Sequence, residues 1–73
     1  MRYPSGSNEE LKAPKSQFRV VGIDVEDSQE FEVGTFETLE AARQAATGKA
    51  GIGNPVYVYD DAGELRVRLG SWH

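Results

Sequence analysis

The segment 55–69 constrains the fold of this chain most strongly, because two stretches of alternating residues flank a short turn. The first stretch covers 55–59 and the second covers 64–69. Between them, residues 60–63 read Asp-Asp-Ala-Gly, a composition typical of turns. The segment therefore predicts a β-hairpin, and with it an antiparallel sheet.

The turn of this hairpin permits two registers, which place different side chains together on one face. A four-residue loop pairs Tyr59 with Glu64. A three-residue loop, with Gly63 in the left-handed conformation, pairs Asp60 with Glu64 instead. We expect the first register, because it gives both strands one aliphatic face, formed by Val56, Val58, Leu65 and Val67. The opposite face then carries Tyr57, Tyr59, Arg66 and Arg68.

A second hairpin is predicted near the start of the domain, from a strand at 17–25, a polar turn at 26–29 and a strand at 30–33. Alternation within these strands separates two faces. The face expected to point toward the core contains Val21, Ile23, Val25, Phe31 and Val33. The other face contains Phe18, Val20, Asp24, Glu30 and Glu32.

A helix is predicted to begin after Thr38, whose hydroxyl can accept hydrogen bonds from the free N–H groups of the first turn. Leu39, Ala42 and Ala46 recur at the spacing of one helix face. Gly48 or Gly51 is expected to end it.

These elements predict an α+β fold of ββαββ type. Antiparallel neighbours are commoner than parallel ones, which favours the strand order 2-1-3-4, with one helix on one face of a four-stranded antiparallel sheet. Residues 1–16 hold two prolines and few aliphatic residues, so we expect a disordered N-terminal tail followed by one domain at 17–73.

The composition limits the classes of function. The chain has 73 residues and no cysteine, so disulfides cannot support its small core and a partner subunit is the leading alternative. The N-terminal residues lack the apolar stretch of a signal peptide, and no run is long enough to span a membrane. We therefore expect a cytoplasmic protein without a membrane partner. The net charge of −4 argues against general attraction to nucleic acid.

A single helix leaves one face of the sheet uncovered by this chain. Three interpretations of that face compete: a solvated surface, a self-association surface, or a platform on which single-stranded nucleic acid stacks its bases. We expect an interaction or structural module that forms a homodimer, with a different protein partner as a further option. Nucleic-acid binding is the alternative function. The candidate interaction face is formed by Phe18, Val20, Tyr57, Tyr59, Arg66 and Arg68.

Two motifs resemble sites without having the required arrangement. Residues 47–53 are rich in glycine around Lys49, but a phosphate-binding loop precedes its helix and this segment follows one. The carboxylates at 60–64 lack the spacing of a calcium loop. His73 has no neighbouring group in the sequence to orient it as a catalytic base. We therefore expect no enzymatic activity, no cofactor and no metal.

Overall fold

Four strands and one helix follow one another, along the part of the chain that the structure describes, in the predicted order. The structure is a computed structural model, and it describes residues 12–72. Strand β1 spans Phe18–Asp24, β2 spans Gln29–Phe36, helix α1 spans Leu39–Lys49, β3 spans Val56–Tyr59 and β4 spans Leu65–Leu69. The sheet order is β2-β1-β3-β4 with every neighbouring pair antiparallel, which confirms the predicted ββαββ fold.

Helix α1 lies against the sheet through its alanines. Thr38 caps its first turn, because the Thr38 Oγ1 atom accepts a 3.0 Å hydrogen bond from the Ala41 N–H group. Ala42 and Ala46 are fully buried, and side chains this small let the helix backbone approach the strands closely. The residue that caps the C-terminal end of the helix is Ala50, whose backbone is extended. The predicted left-handed glycine is therefore not needed to end the helix. The buried residues of this core are Val20, Ala42, Ala46, Val56 and Val58.

The predicted assignment of faces in β1 is wrong. Val20 pairs with Val58 in the central strand and belongs to the core beneath the helix, and Phe18 packs against the same core. Val21 and Ile23 therefore face away from the helix. Alternation could not decide between the two faces, because both sides of β1 are apolar. The pairing with β3 decides it.

Gly22 lies on the helix side of β1, between Val20 and the end of the strand. It pairs with Phe31, whose ring occupies the space that a Cβ atom on Gly22 would need. Phe31 and Val33 thus face the helix side as predicted, and Val33 packs against the core.

The predicted register of the second hairpin is also wrong. Val58 pairs with Val67 and Tyr59 pairs with Leu65, with an irregularity between Val58 and Tyr59 that leaves Arg66 as an extra residue in β4. At the turn, the Asp60 N–H group donates to the Glu64 carbonyl oxygen at 3.0 Å.

Gly63 at this turn has a φ of 83°, as the three-residue loop requires. The bulge then shifts the pairing by one residue, so Val67 and Leu69 still pack beneath the helix. Leu65 does not join them, and it is 38% exposed.

Contacts with the domain extend to the N-terminal side of residue 17. The Ala13 N–H group donates to the Asp60 carbonyl oxygen at 3.0 Å, and Ala13 is 4% exposed. The Ser16 N–H group donates to the Asp61 Oδ2 atom at 2.9 Å. The predicted disordered tail at 1–16 otherwise falls on residues 1–11, which lie outside the described residues, as does His73.

Candidate interaction surface

The face of the sheet opposite helix α1 carries no helix from residues 12–72 and is called the helix-free face. Cross-strand pairing brings its members together: Val21 pairs with Glu32 on one side and with Tyr57 on the other, and Tyr57 pairs with Arg68. Across the four strands the face contains Arg19, Val21, Ile23, Glu30, Glu32, Thr35, Tyr57, Tyr59, Leu65 and Arg68.

The centre of the helix-free face is a second apolar cluster rather than an exposed aromatic surface. Ile23, Tyr57 and Tyr59 form it, and Val25 and Trp72 pack against it. Tyr57 is 0% exposed and Tyr59 is 4% exposed. The tyrosine rings therefore lack the open faces that stacked bases would need.

Of the six residues in the candidate face, three lie on the helix-free face as expected: Tyr57, Tyr59 and Arg68. Phe18 and Val20 do not, because they pack beneath the helix. Arg66 occupies the bulge, where its Nη1 atom lies 3.3 Å from the Asp60 Oδ2 atom. The structure thus replaces an aromatic patch with an apolar centre bordered by charged residues.

Asp60 organises the turn beside this face. Its Oδ1 atom accepts hydrogen bonds from the Ala62 and Glu64 N–H groups, both at 2.9 Å. The hydrogen bond from Glu64 is the main cause that holds the pKa of Asp60 below its usual value, with contributions from Ala62 and the Arg66 guanidinium. The Asp60 carboxylate thus holds the turn together. No group of three or more metal-ligating side chains is found within residues 12–72.

An ion pair borders the face on its β2 side. The Arg19 guanidinium binds the Glu32 carboxylate through Nε at 2.9 Å and Nη2 at 2.7 Å. The hydrogen bond to Glu32 is also the main reason that the pKa of Arg19 is raised. Glu30, on the same strand, is exposed and adds negative charge to this border.

A shallow pocket of about 270 Å³ opens at the β4 side of the face. Six residues line it: Pro55, Tyr57, Arg68, Gly70, Ser71 and Trp72. The sequence reasoning missed this pocket, because residues 70–72 come into place only through contacts with residues distant in sequence. The lone tryptophan of the chain was the available signal, since a half-buried indole is common at binding surfaces.

The loop 51–54 lies next to the pocket and is held by backbone hydrogen bonds. Gly51 and Asn54 exchange two of them at 3.1 Å, and Ser71 bonds with both Gly51 and Gly53. Gly70 has a φ of 79°, and a Cβ atom there would lie 2.6 Å from the Asn54 carbonyl oxygen. Gly51 and Gly53 thus follow the helix in a structural loop, whereas Gly48 lies within its last turn.

Ile52, at the tip of this loop, is 82% exposed. It and Leu65 are the exposed large hydrophobic residues among those the structure describes. The sequence reasoning treated Ile52 as part of a connecting segment and did not mark it.

Comparison with known protein families, with curated proteins and with solved structures gives no match for this chain. Within the described range, no helix combines the length and the apolar character needed to cross a membrane. The contacts and charges of the helix-free face are therefore the basis for any functional conclusion.

Proposed function

We propose that this protein is a small interaction module that self-associates through the helix-free face of its sheet. The observation that carries the proposal is the arrangement of charge on this face, where an acidic border on β2 and a basic border on β4 lie on either side of a centre whose apolar residues are already buried. Glu30 marks the acidic border and Arg68 the basic one. Such a face is complementary to a second copy of itself.

The complementarity depends on how two copies are related. When two sheets stack face to face about a two-fold axis parallel to the strands, β2 of one copy lies over β4 of the other. Arg68 of each copy then faces the acidic border of its partner, level with Glu32 and two residues along β2 from Glu30, and both contacts form at once. A closed dimer results, in which the two half-buried tryptophans are at the contact.

The edges of the sheet favour stacking over side-by-side extension. Strand β2 carries Glu30 and Glu32, and strand β4 carries Arg66 and Arg68. Pairing two copies of either strand would set like charges opposite each other, which is destabilising. Both edge strands also contain a bulge, a further device that limits pairing at sheet edges.

The size of the core adds a reason for association. The fully buried residues beneath the helix are three valines and two alanines, and the chain has no cysteine to form a disulfide. Domains of this size bury a small share of their surface and gain stability from a partner subunit. The same face gives single-stranded nucleic acid no support as a ligand, because its two tyrosines are buried.

Sedimentation equilibrium with charge-reversed variants tests the proposal. We expect the wild type to form a dimer at micromolar concentration, and Arg68→Glu or Glu30→Lys to weaken dimerisation by about tenfold each, since each places like charges together. The variant with both substitutions restores opposite charges across the contact and should regain most of the affinity.

Arg43→Glu is the matched control. Arg43 is exposed on helix α1, far from the helix-free face, and its reversal changes the net charge as much as Arg68→Glu does. Circular dichroism melts at low concentration show whether each variant folds. A wild type that stays monomeric up to millimolar concentration would refute self-association, and dimerisation unaffected by either single reversal would refute this face as the contact.

A further inference from the structure

The loop 51–54 presents an apolar side chain on a backbone that is already fixed. Its backbone forms hydrogen bonds with Ser71. The Gly53 carbonyl oxygen also accepts a 3.0 Å hydrogen bond from the Val25 N–H group. The close approach of Gly70 to Asn54 and Gly51 holds the loop from the other side. A partner can bury a side chain on such a loop without the cost of ordering the loop backbone.

The pocket beside this loop has the size and lining to receive one apolar side chain. Its volume of about 270 Å³ lies below the range of roughly 300–1,000 Å³ that is usual for small-molecule sites. Trp72 supplies the accessible apolar wall, Pro55 and Tyr57 lie beneath the pocket and are themselves fully buried, and Arg68 stands at the border. Aromatic and arginine side chains of this kind are enriched where single anchor residues bind.

Ile52, the knob of this contact, and the pocket are neighbours on one surface. Ile52 forms a backbone bridge with Ser71, which lines the pocket. In a two-fold symmetric contact each copy must supply both parts, and a knob beside a pocket meets this condition. We propose that Ile52 of each copy packs against Trp72 in this pocket of a second copy. This inference rests on the proposed self-association and names its anchor.

Charge supports a second copy as the occupant. The turn between β1 and β2 adjoins the loop through the Val25 N–H bond to Gly53, and it carries Glu26 and Asp27, both exposed. When Ile52 enters the partner's pocket, this acidic turn approaches the Arg68 that borders it. Insertion of Ile52 thus places the acidic β1–β2 turn of one copy near the Arg68 guanidinium of the other.

The test compares two alanine substitutions at the exposed hydrophobic residues. Ile52→Ala should raise the dimer dissociation constant by about tenfold or more, a typical effect of losing an anchor residue. Leu65→Ala is the control for position within the same face, because Leu65 pairs with Tyr59 at the turn end of the hairpin, away from the pocket, so its replacement should raise the constant less than Ile52→Ala does. Since Ile52 is 82% exposed, its replacement leaves the core of the subunit intact.

Fluorescence gives a second readout, because Trp72 is the one tryptophan of the chain. On dimerisation of the wild type its emission should shift to shorter wavelength as the indole loses contact with water. Ile52→Ala at the same concentration should keep the emission of the monomer.

The outcomes separate the two proposals. A wild type that dimerises, with Ile52→Ala dimerising equally well, would overturn the anchor and leave self-association in place. A monomeric wild type would overturn both. Equal losses from Ile52→Ala and Leu65→Ala would also count against the anchor, because the effect would then be one of general surface hydrophobicity.

Discussion

Asp60 shows how one side chain fixes the geometry of a turn. Its carboxylate accepts two backbone N–H groups and an arginine, while its own backbone bonds to Glu64 and receives the Ala13 N–H group. The sequence reasoning recognised the aspartates here as turn formers. It did not find which loop length they select, because both lengths satisfy the same residue preferences.

The lowered pKa of Asp60 gives the folded protein a pH dependence. A carboxyl group whose pKa is lower in the folded state stabilises the fold above its unfolded pKa of about 3.9 and loses that contribution as the pH falls through the folded pKa. Between about pH 5 and about pH 2, the melting temperature of the wild type should therefore fall more than that of Asp60→Asn.

Thermal melts across this pH range provide the check, with Asp27→Asn in the exposed β1–β2 turn as the control. The control should follow the wild type. If the curves of Asp60→Asn and the wild type ran parallel, the turn would have to be stable without the charge on Asp60.

At the scale of elements, helix α1 was the easiest to predict and strand β1 the hardest. The cap at Thr38 and the alanine spacing are local signals, and both are confirmed. Strand β1 has Phe18 and Val20 on one side and Val21 and Ile23 on the other, so its sequence contains no preference for either face. Its orientation depends on pairing with β3, which lies in the other half of the chain.

The two threonines of α1 allow a comparison of the same substitution in two positions. Thr38→Ala removes the cap and should cost about 1 kcal/mol of unfolding free energy. Thr47→Ala should cost nothing or stabilise slightly, because the Thr47 hydroxyl donates to the Arg43 carbonyl oxygen within the helix and alanine is the better helix former.

Urea denaturation of both variants measures these free energies. Equal losses would mean that the cap contributes nothing beyond the loss of a threonine side chain.

At the scale of the whole molecule, residues 12–72 form two thin apolar clusters, one on each face of the sheet. The sequence correctly indicated one helix and one sheet. The residues on each face could not be identified from the sequence. A one-residue bulge in β4, or a shift of the β1 pairing by one residue, moves the side chains of that strand to the opposite face of the sheet. The candidate face therefore kept Tyr57, Tyr59 and Arg68 and lost Phe18 and Val20.

If two copies associate, the stability of the fold depends on protein concentration. The melting temperature should rise when the wild type is concentrated, because the folded dimer is favoured by mass action. Calorimetry or circular dichroism measures this shift when it is carried out at protein concentrations that differ by about 5-fold to about 500-fold. A constant melting temperature for the wild type, equal to that of Ile52→Ala, would contradict the proposed dimer.

The strand order β2-β1-β3-β4 also has a consequence for the time course of folding. Each hairpin pairs strands that are close in sequence, whereas the central pair β1–β3 joins the two halves of the chain. Closing that long loop carries the larger entropic cost, so the hairpins and helix should gain structure before the central pair does. Until the two central strands meet, both hairpins present an open edge and an apolar face, and this interval is when the chain is most prone to aggregate.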